Sequence, residues 1–151
     1  MKTIYYIIIS LVAIFTISSC ATSNSTTTLM NGISLNQYQY VVFGTENNGD
    51  AELDDILLLV QNEISTKLTV VSPSEANSLI LRGISVLTPR INAKSEKWEG
   101  GHTYITISFY DFEKNVCVAV VKSSGIGLSI SHDQSLALSA IQKELNKAFK
   151  K

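Results

Sequence analysis

From Ile4 to Ile17 the chain reads IYYIIISLVAIFTI, an apolar run broken only by Ser10 and Thr16. Its 14 residues fall short of the roughly 20 that a helix needs to cross a bilayer. With Lys2 supplying a positive start, the run fits the apolar core of an export signal. Residues 1–19 are therefore set aside as a signal peptide, and the fold has to be built from residue 20 onward. What remains of the 151 residues is enough for one ordinary domain and too little for two.

The run ends in Ile17-Ser18-Ser19-Cys20: an aliphatic residue, two small residues, then cysteine. These four positions resemble the lipobox of bacterial lipoproteins. Small side chains at Ser18 and Ser19 let a membrane peptidase approach the backbone closely, and the Cys20 thiol is a soft nucleophile suited to a thioether with diacylglycerol. The resemblance implies cleavage before Cys20 and a covalent lipid there as the chain's only prosthetic group. Each buried methylene adds about 0.8 kcal/mol of membrane affinity, and two acyl chains hold stably. The alternatives are a plain signal peptide cut elsewhere or an uncleaved anchor. Ala21, where enterobacterial sorting would read an Asp as retention in the inner membrane, favours the outer membrane facing the periplasm.

Residues 20–34 carry the Ser/Thr-rich stretch ATSNSTTT and show no hydrophobic period. Such a stretch buries no face and reads as a flexible tether with a reach of about 20 Å. The domain is then expected over 35–151. Net charge is -1, with both signs interspersed, which argues against a nucleic-acid partner. With Cys20 acylated, Cys117 has no partner within the chain for a disulfide.

Within the domain, Tyr38–Phe43 reads as a strand, and Asn47-Asn48-Gly49 as a turn. Asp50 can cap a helix over 51–67 whose stripe is Leu53, Ile56, Leu57, Val60, Ile64 and Leu68. Thr69–Val71 is a short strand. Ser72-Pro73-Ser74-Glu75 starts about one turn of helix. Leu79–Leu87 reads as a strand that Pro89 ends, and 90–101 as a polar loop. Thr103–Phe112 alternates cleanly: Ile105, Ile107 and Phe109 on one face, Tyr104, Thr106, Ser108 and Tyr110 on the other. Glu113-Lys114-Asn115 turns into the return strand Val116–Lys122, apolar on both faces and so central. Ser131 and Gln134 form a capping box for a last helix striped by Leu138, Ile141, Leu145 and Phe149. This order predicts an α+β domain of two layers: a mixed four- to five-stranded sheet with two main helices on one face.

The lipobox and tether, followed by VVSPSEANSLILRG, YITISFYDFEKN and GIGLSISHDQSLALSAIQKELNKAF, resemble small envelope lipoproteins related to the amino-terminal domain of TolB and to the curli secretion lipoprotein. The resemblance spans about residues 36–150. It implies a role in envelope assembly or as an accessory module, and carries over no catalytic residue.

The remaining chemistry-bearing residues have structural readings. Cys117, between Val116 and Val118, reads as a packed core residue. His102, after Gly100-Gly101 and near Trp98, belongs to a hairpin tip. His132 lacks further ligands at a metal-binding spacing. Gly125-Ile126-Gly127 lacks the rest of a phosphate-binding motif and reads as a bulge or tight turn. Asp111 and Glu113 flank a turn. No nucleophile, base and orienter converge, so no enzyme is expected. The face bearing Tyr104, Thr106, Ser108 and Tyr110, with Trp98 beside it, is the candidate partner surface, because Tyr offers large contact area with a polar tip. The leading function is an envelope interaction or assembly lipoprotein with a protein partner. The alternative is a carrier or sensor of a small apolar ligand.

Overall fold

A computed structural model describes residues 21–30, 32–44, 51–97 and 101–150. Ile17, Ser18, Ser19, Cys20, the Asn47–Asp50 turn and cap, and Trp98 lie outside the described residues.

The alternation at residues 103–112 produces the centre of the sheet. Strand β5, Thr103–Asp111, turns Ile105, Ile107 and Phe109 fully inward. It pairs antiparallel with β4, Val86–Ser95, on one side and with β6, Val116–Ile126, on the other. Strand β1, Thr22–Leu29, runs antiparallel along β6. Two-residue strands β2, Tyr40–Val41, and β3, Thr69–Val70, extend the far side in parallel. The resulting order is β1-β6-β5-β4-β2-β3, a six-stranded mixed sheet. Helix α1, Ala51–Ser65, buries Ile56, Leu57, Val60 and Ile64 against one face. Helix α3, Ile130–Ala148, packs beside it through Ala137, Ile141 and Leu145. The domain is thus α+β with its two main helices on one face, as the residue pattern predicts.

Helix α2, Pro73–Leu81, lies on the opposite face. Its Ala76 and Leu79 pack on Val42, Val71 and Val86, whereas Val41 and Leu87 belong to the core under α1 and α3. Adjacent strand residues point to opposite faces, so the two clusters flank the sheet. This helix is longer than the single turn expected and consumes the start of the expected Leu79–Leu87 strand. Ser72 caps it by accepting from Glu75 N, with Pro73 in its first turn.

Four other expectations are corrected. The predicted tether is a strand: residues 22–29 are β1, the sixth strand of the sheet. Its threonines are β-branched and favour extended backbone. Its backbone groups find a complementary ladder on β6, which a search for apolar periodicity does not detect. Pro89 does not end β4 but sits inside it, opposite Phe109. Strand β2 accompanies β4 only at Val86 and Leu87, so the donor that proline lacks is missing where no strand among the described residues pairs with that side of β4. Strand β4 therefore continues to Ser95, through most of what reads as a loop. The last helix is capped by Ser129, which accepts from His132 N, rather than by Ser131. The expected strand over 38–43 shrinks to Tyr40–Val41 behind a 3-10 turn at Leu35–Gln37, because Tyr38 turns into the core.

Candidate functional site

Among the described residues, the face of the sheet opposite α1 and α3 is covered by α2 only at the β2–β3 side. The rest is open, and the register places its side chains in rows. Lys94, Tyr104, Ser124 and Asn24 form one row across β4, β5, β6 and β1. Asn92, Thr106, Lys122 and Thr26 form the next, and Arg90, Ser108, Val120 and Thr28 a third. Neighbouring strands lie about 4.8 Å apart, so each row spans a flat strip of about 14 Å. Each row carries one cation, and the strand residues of this face include no carboxylate. Hydroxyl and amide groups fill most remaining positions.

Structure thus brings together four of the predicted surface residues: Tyr104, Thr106, Ser108 and Tyr110 share this face. Tyr104 is 41% exposed, and its hydroxyl lies 2.8 Å from His102 Nδ1. His102 in turn is 3.6 Å from Glu96 Oε2, so the carboxylate nearest this edge is held at the rim. The Arg90 guanidinium stands 4.6 Å over the Tyr110 ring, a cation–π contact that fixes both side chains. A shallow cleft of about 200 Å³ runs along Asn24, Thr26, Tyr104, Lys122 and Ser124. Chemically, this is a surface of hydrogen-bond donors, two aromatic rings and positive charge. It suits a partner that presents acceptors and negative groups.

Cys117 is on this side as well, which corrects its reading as a core residue. Phe109 pairs with Ala119 but Tyr110 pairs with Cys117, so Val118 is the extra residue of a β-bulge. Val118 and Ala119 both turn inward, and the shift of alternation sets Cys117 beside Tyr110, half-buried. No sequence signal marks the bulge, because Val116–Val121 is apolar at nearly every position.

Other candidates disperse. Asp111 is buried on the helix side, where it accepts from Tyr38 Oη at 3.1 Å and from Lys114 N at 2.9 Å. Burial pushes the Tyr38 phenol above its ordinary range, and the Asp111 charge adds to that. Glu113 is exposed in the turn. His132 Nδ1 accepts from Leu128 N at the start of α3. No group of three or more metal-ligating side chains gathers among the described residues. Gly125 and Gly127 serve close packing rather than a tight turn. A Cβ at Gly125 would run into the Asp133 carbonyl oxygen and stand 2.7 Å from Ala137 N, and one at Gly127 would meet the His132 ring at 2.7 Å. The Gly127 amide donates to the buried Asp133 carboxylate, tying β6 to α3.

A residue that the sequence alone does not single out is Glu144. It sits within α3 yet is only 6% exposed. Its carboxylate accepts from Ser25 Oγ at 3.2 Å, Thr27 Oγ1 at 2.9 Å and Lys147 Nζ at 2.6 Å. The Lys147 hydrogen bond holds this carboxyl below the usual glutamate range; burial opposes that, and the Thr27 and Ser25 hydroxyls add to it. Glu144 lies three residues beyond Ile141 and one before Leu145, on the buried stripe. A charge on that stripe is the one signal that could have marked it.

By sequence, no known protein family and no curated protein matches the chain. Among solved structures it is similar to a PelC dodecamer from Paraburkholderia phytofirmans, with 17% identity and a TM-score of 0.53 over 86% of this chain and 100% of that one. A second PelC dodecamer from the same organism gives 16% and 0.53 over the same shares. At these identities the likeness establishes the fold. A PDZ-domain protein from Parabacteroides distasonis, at 10% identity and a TM-score of 0.45, is too loose a likeness to add to it.

Proposed function

We propose that the chain is an exported lipoprotein, anchored to the cell envelope through Cys20, whose domain is a non-catalytic interaction and assembly module. The observation that carries the reading is the open sheet face: Tyr104, Thr106, Ser108 and Tyr110 share it with Arg90, Lys94 and Lys122, and no strand carboxylate opposes them. Such a face binds by contact area and charge, and selects an envelope partner with an acidic surface. Two further facts are in line with it. The fold is shared with chains that assemble as dodecamers. Among the described residues no helix is long and apolar enough to cross a membrane.

Two measurements test the two halves. Mass spectrometry of protein purified from membranes should find a terminus at Cys20 carrying acyl mass, and Cys20→Ala should move the protein to the soluble fraction. A photo-crosslinking residue at Thr106, in intact cells, should give a discrete adduct that the same probe at Ser139 on α3 does not. The combined substitution Arg90→Glu and Lys122→Glu should abolish that adduct. Equal labelling from Thr106 and Ser139 would remove the open face as the partner surface.

A further inference from the structure

We infer that the domain sits directly on the lipid surface, with the end of the sheet where β1 begins turned toward the bilayer. The inference rests on the acylation of Cys20 proposed above. Strand β1 starts at Thr22, two residues after that cysteine. Two fully extended residues span about 7 Å, so an acyl anchor on Cys20 leaves the sheet no freedom to stand away from the headgroups. Nor can β1 peel off cheaply to lengthen the leash. All eight of its residues are in register with β6, from Thr22 opposite Ile126 to Leu29 opposite Ala119. Ser25 and Thr27 are also bound to the buried Glu144 carboxylate.

The register identifies what lies at that end. Thr22 is opposite Ile126, Gly125 is opposite Thr103, and Thr103 is opposite Ser95. The chain leaves β6 there through Leu128 and enters α3, capped by Ser129. Leu128 is 73% exposed, two residues beyond the partner of Thr22. A large apolar side chain held in water costs free energy that insertion among headgroups and upper acyl chains recovers. Exposed charges of both signs lie toward this end, with Asp55 of α1 beside Ser131 and Gln134 of α3. Lys94 and Lys97 are exposed, Glu96 is engaged by His102, and Asp133 is buried on the Gly127 amide. The strands then rise from the membrane, and the open face looks sideways, accessible to a partner in the same compartment. The opposite end carries exposed Leu29 and Val116, so it provides the internal comparison.

The acylated protein, in a Cys117→Ser background, is reconstituted in vesicles of phosphatidylethanolamine and phosphatidylglycerol. A fluorophore is placed at Leu128→Cys or, at the far end, at Glu113→Cys, and quenching by spin-labelled lipid is read. The expected result is quenching several-fold stronger at 128 than at 113. Inserting 14 Gly/Ser residues between Ala21 and Thr22 should bring 128 down toward 113. Equal quenching at both sites in protein with acyl mass would overturn the apposed orientation and leave the anchoring intact. Quenching at 128 unchanged by the insertion would overturn the short leash as its cause. Absence of acyl mass in the same preparation would overturn the anchoring itself.

Discussion

Strands β5 and β1 are two strands apart in one sheet and are held by different physics. β5 buries Ile105, Ile107 and Phe109 completely, with Phe109 stacked edge-on against Phe149 at 5.6 Å. β1 buries no apolar side chain at all; its backbone pairs with β6 and two of its hydroxyls end on Glu144. Hydrophobic burial is non-directional and scales with area. A hydrogen bond nets only about 1 kcal/mol, yet leaves an expensive orphan when one partner is removed. β5 should therefore open only with the whole domain, while β1 opens at a lower free energy that its eight-residue ladder and the Glu144 contacts still make costly.

The comparison can be broken at several points. Ile107→Ala removes fully buried volume and should cost about 4 kcal/mol of global stability in denaturant titration. Gly125→Ala should cost about 3 kcal/mol, because the new Cβ meets backbone of α3 rather than a side chain that can swing away. Its amide exchange should speed up across β6 and α3 together. Glu144→Ala should cost about 2 kcal/mol and raise exchange at residues 22–29 while leaving β5 amides protected. If it exposes β5 as readily as Ile107→Ala does, the two strands form one cooperative unit and the distinction fails. Thr27→Ala, removing a single hydroxyl, should cost about 1 kcal/mol with the same local signature.

Acid sharpens the same contrast. The Glu144 carboxyl is held below its ordinary range, so its contribution is fully present above about pH 4.3, the value of a free glutamate. It is lost as pH falls further through the depressed value. Exchange at residues 22–29 should rise below that pH in the native protein and be insensitive to it in Glu144→Gln.

Several elements were legible without coordinates because their signals are local. The alternation of Thr103–Phe112, the stripe of Leu53–Ile64, and the Ser72-Pro73 start each encode an environment within a few residues. The surface residues Tyr104, Thr106, Ser108 and Tyr110 followed from the first of these. The cations Arg90, Lys94 and Lys122 that complete the face did not, since Arg90 and Lys94 sit where Pro89 suggests a loop. Gly125 reads as a turn glycine until α3 is laid against it.

What the sequence determined by itself is which faces must leave water: the inward residues of β5 and the stripes of α1 and α3, together with the caps of α2 and α3 to within two residues. Those are one-dimensional patterns set by the 2.0 and 3.6 periods of strand and helix. Only the tertiary structure decided that a Ser/Thr segment becomes a strand, that Val118 bulges and turns Cys117 outward, and that α2 packs on the other side from α1 and α3. Each of those depends on a partner distant in the chain: the free ladder of β6, the register against β5, and the apolar patch made by Val42, Val71 and Val86. Backbone groups carry the same donors and acceptors at every position, so where they pair is settled by which edges the core leaves open.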